Sequence, residues 1–190
     1  YLGLSLRPAS EVTPERFDLV ALVDTQPGTG NNLLPPGHIP QIVIDHHPVR
    51  RLTRSSPYTD IRRRYGATST ILFEYLDTLR IVPDRPLATA LLYGIRADTQ
   101  NLGREASQAD IAAHLKLYPM ANLRMLARIQ LASVPREYFQ VLGEALHSAV
   151  FAGRAVFCAL RYLGNPDMVP EVADLLLRFE ECDWVLACGV

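Results

Sequence analysis

Two short stretches, "FDLVALVD" (Phe17 to Asp24) and "PQIVID" (Pro40 to Asp45), are apolar runs rich in Val, Ile and Leu without polar alternation. Each closes on an aspartate. Runs of this kind suit strands of a parallel sheet covered on both faces. The opening "YLGLSL" and the closing "VLACGV" have the same texture, so strands are expected at both ends of the chain. The segment between the two central runs, "TQPGTGNNLLPPGHI", carries too much Gly and Pro for a crossover helix and reads as a loop. Beyond it, "RRLTRSSPYTDIRRRYG" is polar and basic, with six arginines from Arg50 to Arg64, and predicts an exposed connection.

Helical periodicity takes over at Ala67. In "ATSTILFEYLDTL", residues Ile71, Leu72, Tyr75, Leu76 and Leu79 share one stripe, with Thr68 or Ser69 able to cap the helix. "DRPLATALLYGIRADT" predicts a second helix that starts near Asp84, with Pro86 in its first turn, and reaches Asp98. "SQAD" (Ser107 to Asp110) resembles a capping box. From there to about Ala149 the pattern is helical, with breaks at Pro119 and Pro135. The last segments, "RAVFCALRYL", "PEVADLLLRFEE" and "DWVLACGV", alternate strand, helix, strand. The fold expected is α/β: a mostly parallel sheet with flanking helices over 1–105, a helical linker over 106–150, and the start of a second, smaller α/β domain over 151–190.

Composition narrows the function classes. The 190 residues are 48% hydrophobic and 21% charged with a net charge of -1, an ordinary globular balance without the basic footprint that long double-stranded nucleic acid requires. No apolar run reaches membrane-spanning length, and no secretory leader is visible. Cys158, Cys182 and Cys188 show no C-x-x-C spacing, which predicts reduced thiols and a cytoplasmic location. His114 and His147 fall in helical segments and read as structural.

The chemistry concentrates at three element ends. In an open parallel sheet, loops at the carboxyl ends of neighbouring strands converge on one crevice. Asp24 and Asp45 would face that crevice with His46 and His47, and Asp98 ends an apolar helix from which it could be brought there. Mixed carboxylate and imidazole donors suit Mn²⁺ or Mg²⁺. Two such ions about 4 Å apart would clamp a phosphoryl group. An aspartate just past a strand is also a common turn former, and a His pair is often surface or core. On residue pattern alone the metal reading and these plainer readings stand level. "GTGNN" lacks the helix and Lys of a phosphate-cradling loop.

"VIDHHP" resembles the naming motif of the DHH phosphoesterase superfamily, in its RecJ-like and oligoribonuclease-like branch. "ALVDTQ" and "LLYGIRADTQNLG" resemble the motifs on either side, and "YGATSTILFEYL" the helix between the last two. The match runs from Phe17 to Gly103, with the helices that follow resembling the family's linker. The resemblance implies that Asp24, His46 and Asp98 ligate metal, that His47 stands beside the scissile phosphate as the catalytic imidazole, and that Asp45 orients an imidazole. It also places Asn101 and Arg104 near the phosphate. The family's first motif, a His followed by two Asp, and its glycine-rich motif with a terminal His have no match here, so a chain truncated at both ends is expected.

The implied activity is hydrolysis of phosphodiester bonds in short or cyclic oligonucleotides, with Mn²⁺ or Mg²⁺ as cofactor and two ions in the intact protein. A pyrophosphatase or exopolyphosphatase is the alternative within the same chemistry. A non-catalytic nucleotide-sensing module of a multidomain protein is the alternative outside it. Oligomeric state is not legible in the sequence.

Overall fold

A computed structural model describes residues 2–8, 11–161 and 164–189. It divides into two compact units, 1–131 and 132–190, so the division falls inside the stretch read as a linker. The fold class is α/β, with six α-helices and two three-stranded sheets among the described residues.

The first unit is built on strands β1 (Ala21–Val23), β2 (Ile42–Asp45) and β3 (Tyr58–Ile61), parallel and in the order β1-β2-β3. The apolar run before Asp24 yields only three strand residues. Gln41 and Ile42 donate their backbone N–H groups to the Val20 carbonyl, and Pro40 has no N–H with which to extend the pairing. The opening run, Leu2 to Pro8, forms no regular element, and Leu4 and Leu6 are exposed. β3 is the opposite correction: a strand lies inside the arginine-rich segment read as a connection. Its polar side chains sit at the sheet edge, where Tyr75 donates to Asp60 at 2.5 Å and Arg62 grips the same carboxylate.

Four helices cover this unit: α1 (Thr68–Thr78), α2 (Arg85–Asp98), α3 (Gln108–Leu117) and α4 (Leu123–Gln130). Asp84 caps α2 by accepting from the Leu87 N–H, with Pro86 in the first turn as expected. Neither Thr68 nor Ser69 caps α1; Ala67 holds that position without a side-chain bond. α1 and α2 pack closely because Gly94 has no Cβ, which would stand 2.1 Å from Ser69 Oγ. Leu91, Leu92, Ile95, Phe73, Leu117 and Leu126 fill the shared core.

The capping box of α3 is present, with Ser107 and Asp110 bonding each other's backbone N–H. Asp110 does more than cap. It is fully buried, and its carboxylate also accepts from the Gly66 N–H at 2.8 Å and the Thr70 hydroxyl at 2.5 Å. Burial alone would raise its pKa, but the hydrogen bonds from Ser107, Thr70 and Gly66 outweigh burial and hold it below the usual carboxylate range. His114, in α3, stacks on Tyr118.

The second unit comprises α5 (Arg136–Ser148), β4 (Val150–Ala152), β5 (Ala155–Leu160), α6 (Met168–Leu176) and β6 (Trp184–Gly189). Its sheet has the order β4-β5-β6, antiparallel then parallel, around a core of Val156, Cys158, Leu160, Val172 and Leu176. Tyr162, Leu163 and Val190, which belong to the expected strand segments, lie outside the described residues. Cys158, Cys182 and Cys188 are free thiols. Among the described residues, no helix is long and apolar enough to cross a membrane.

Candidate functional site

Strand register creates the site. Val23 pairs with Ile44, so the residues that follow, Asp24 and Asp45, emerge side by side at the carboxyl ends of β1 and β2. Asp24 extends the ladder by donating its N–H to the Ile44 carbonyl at 3.0 Å, then turns sharply with a φ of 61°. That left-handed conformation is unusual for a residue other than glycine, though aspartate tolerates it better than most. The Thr68 hydroxyl, at the start of α1, donates to Asp24 Oδ1 at 2.7 Å and sets its orientation. This is what Thr68 does instead of capping.

Asp45 faces inward. Its Oδ1 accepts from the His46 N–H at 2.8 Å, the His47 N–H at 3.3 Å and the His47 ring Nδ1 at 2.8 Å. Its Oδ2 accepts from Gln26 Nε2 at 2.7 Å. Burial pushes this carboxyl group up, but the bonds from His47 and Gln26 prevail and hold it below the usual range. Asp45 lies close enough to Asp24, His46 and His47 to count among donor atoms within 4.8 Å of one another. Its Oδ1 is already taken by three donors and its Oδ2 by one, and of the two imidazoles it bonds only the His47 ring.

The two histidines differ in what their Nδ1 atoms touch. His46 Nδ1 donates to the Tyr65 carbonyl at 3.1 Å, which leaves Nε2 as the lone-pair nitrogen. That Nε2 stands 3.6 Å from Asp24 Oδ1. Two electron-rich atoms are thus held facing each other, each oriented by a bond from behind, and a cation between them is what such a pair fits. His47 Nδ1 donates to Asp45, leaving its own Nε2 free on a half-exposed ring.

Asp98 ends α2 and lines the cleft with His46 and His47, but its carboxylate is not among the donor atoms gathered within 4.8 Å of one another, which are those of Asp24, Asp45, His46 and His47. Burial first, and the Asp24 charge second, push the Asp98 carboxyl group up to about 6, with His46 and His47 pulling partly back. A bound divalent ion would reverse this, because it neutralises the repulsion. A folded-state pKa raised above the unfolded value of about 3.9 contributes stability fully present below pH 4 and lost as pH rises through about 6. In the presence of chelator, Asp98→Asn is therefore expected to melt higher than wild type above pH 6, with the difference vanishing towards pH 4. Mn²⁺ should raise the wild-type midpoint at pH 7 and leave that of Asp98→Asn nearly unmoved. A pH-independent difference between the two proteins would contradict the electrostatic origin.

These groups open onto a cleft of about 670 Å³ whose walls include His46, His47, Tyr65, Asp98, Arg104 and Glu105, together with Arg63 and Arg64. Arg104 thus reaches the site. Asn101 does not line it; its Oδ1 accepts from Arg96 Nε at 2.6 Å in a turn where Gln100, Asn101 and Leu102 all have positive φ. The "GTGNN" loop is not part of the wall either. Its side chains bond one another and the backbone, with Asn32 and Thr29 both donating to the Gln26 carbonyl at 2.8 Å.

Gln26 is the residue that sequence reasoning missed most completely. Buried behind the site, it holds Asp45 with its amide N–H and accepts from the Arg50 N–H at 2.8 Å and the Thr53 hydroxyl at 2.7 Å. It pins the whole His-His turn. The one available signal was its place two residues after a strand-end acid, which many solvated glutamines share.

No family model matches the chain. An uncharacterized protein of Methanocaldococcus jannaschii is 33% identical over 192 residues, a match that takes in all of this chain and 39% of that protein. The crystal structure of an exopolyphosphatase-related protein from Bacteroides fragilis superposes with a TM-score of 0.61 at 13% identity, over 77% of this chain and 46% of that one. The chain therefore spans less than half the length of either relative, and it shares the fold of the exopolyphosphatase-related protein.

Proposed function

We propose that this chain carries the site of a metal-dependent phosphoesterase of the DHH type, acting on phosphodiester bonds of short or cyclic oligonucleotides. The observation that carries the reading is the pair of oriented lone-pair donors, Asp24 Oδ1 and His46 Nε2, set beside an imidazole tied to a buried carboxylate. Asp24, His46 and Asp98 would hold the ion, and the mixed oxygen and nitrogen set favours Mn²⁺ over Mg²⁺. When bound, such an ion supplies Lewis-acid charge and acidifies water for attack on phosphorus. His47 keeps its proton-bearing Nδ1 on Asp45 and offers Nε2 to the cleft, where as an imidazolium it can donate to charge developing on a phosphate oxygen. Asp45 and Gln26 fix that ring and exclude the other tautomer. The Thr68 hydroxyl fixes the Asp24 carboxylate, whose Oδ1 stands opposite His46 Nε2.

Hydrolysis of a phosphoanhydride, as in pyrophosphate or polyphosphate, is the second reading, supported by the fold shared with an exopolyphosphatase-related protein. The test is Mn²⁺-dependent hydrolysis of a dinucleotide, pyrophosphate and polyphosphate, by the 190-residue chain and by a form extended at both ends. Dinucleotide turnover that chelator abolishes is the expected result, with His46→Ala weakening Mn²⁺ binding at least about tenfold. Turnover of phosphoanhydrides alone would move the assignment to the second reading. Absence of any turnover in folded, metal-loaded protein would favour a sensor.

A further inference from the structure

A single peptide unit, made of the Tyr65 carbonyl and the Gly66 N–H, lies between the Asp110 carboxylate and the His46 ring. On one side the Gly66 N–H donates to Asp110 Oδ2 at 2.8 Å, and on the other the Tyr65 carbonyl accepts from His46 Nδ1 at 3.1 Å. Both ends of this chain of bonds are shielded from water: Asp110 is fully buried, and the His46 side chain is only 16% exposed. The peptide is also anchored through its side chain, because the Tyr65 hydroxyl donates to Glu74 at 2.8 Å and accepts from Arg62 at 3.3 Å. Glycine at position 66 is what lets the backbone come so close. A Cβ there would stand 2.6 Å from Thr99 Cγ2, 2.8 Å from the Glu105 carbonyl oxygen and 3.1 Å from Asp110 Oδ2.

The order of groups has an electronic consequence. Burial pushes Asp110 up, but its hydrogen bonds prevail and keep it an anion. An anion bonded to an amide N–H polarises that peptide, so its carbonyl oxygen gains negative charge and holds a ring N–H more firmly. A firmer bond at Nδ1 fixes the tautomer and makes Nε2 the stronger electron-pair donor. We propose that Asp110 is a positioning residue for the metal site, acting through the Tyr65–Gly66 peptide to keep the His46 proton on Nδ1 and to strengthen Nε2 as the donor that faces Asp24. This role rests on the phosphoesterase reading for His46 as a ligand, but its first test needs neither metal nor turnover.

Long-range proton–nitrogen NMR spectra of the metal-free 190-residue chain, taken above the imidazole titration range, read the tautomer of His46 directly, with His46→Ala assigning the signal. Calorimetric titration with Mn²⁺ reads its strength as a ligand. Wild-type His46 should carry its proton on Nδ1. Asp110→Asn keeps an acceptor oxygen for Gly66 and removes the charge; it should shift His46 towards the Nε2–H tautomer and weaken Mn²⁺ binding roughly tenfold. Gly66→Ala keeps the charge and displaces the peptide, and it should do the same. Thr70→Val removes a different bond to the same carboxylate, so it should lower the melting midpoint and leave both the tautomer and the Mn²⁺ affinity at wild type. A wild-type His46 protonated on Nε2, or wild-type tautomer and affinity in Asp110→Asn, would overturn the proposal. Equal losses in Thr70→Val would overturn it too, by making Asp110 a packing residue only. So would wild-type tautomer and affinity in Gly66→Ala, which would mean that the charge acts through space. Should Asp110→Asn not fold, the wild-type spectrum and Gly66→Ala decide. Absence of phosphoester hydrolysis by the metal-loaded protein would sink the phosphoesterase reading and leave the tautomer and affinity results standing.

Discussion

Asp110→Ala is expected to destabilise the first unit by about 3 kcal/mol or more, a large share of the 5–15 kcal/mol that holds a typical domain folded. The substitution leaves the Gly66 N–H and the Thr70 hydroxyl without their acceptor in the buried interior, and both polar groups of Ser107 without theirs at its half-buried margin. A buried donor left unsatisfied costs on the order of 1–3 kcal/mol, and partial relaxation keeps the total below the simple sum. The site would feel it, because Gly66 is next to Tyr65, whose carbonyl orients His46. Urea unfolding checks the prediction: the midpoint should fall with little change in slope. The pH dependence carries its own sign. A carboxyl group held below its unfolded value contributes stability above about pH 4 that is lost as pH falls through the folded pKa. Wild type should therefore lose stability in acid more steeply than Asp110→Ala. A variant within about 0.5 kcal/mol of wild type at neutral pH would show that the network contributes nothing.

His47→Ala is expected to lower turnover about 10²- to 10⁴-fold while leaving Mn²⁺ affinity within a factor of about two. The division follows from where each nitrogen points. His46 has its free nitrogen on Asp24, whereas His47 has its free nitrogen in the cleft and its other nitrogen on Asp45. The comparison uses the protein form that turns over substrate, with metal affinity measured separately by calorimetry. If His47→Ala and His46→Ala lost metal to the same degree, His47 would be a ligand and its assignment as the imidazole beside phosphate would be withdrawn. Unchanged turnover would remove it from the chemistry altogether.

The parts of this protein that were legible in its sequence are those set by neighbours along the chain. An unbroken apolar run ending in Asp45-His46-His47 reads as a buried strand presenting polar groups at its end, and β2 is that strand. Asp84 before Arg85-Pro86 marks a helix start, and Ser107 with Asp110 marks another, because caps act within three residues. Tertiary pairing decided the rest. β3 carries too little apolar pattern to announce itself and exists because β2 offers it a ladder. The Tyr65 carbonyl that selects the His46 tautomer and the Gln26 amide that clamps Asp45 each act across 19 residues. The Thr68 hydroxyl that aims Asp24 and the Asp110 carboxylate that holds Gly66 each act across 44. Residue types along the chain name the groups able to hold a metal. Which lone pairs are left free to do so depends on hydrogen bonds between distant segments, and those form only once the sheet and its helices have packed.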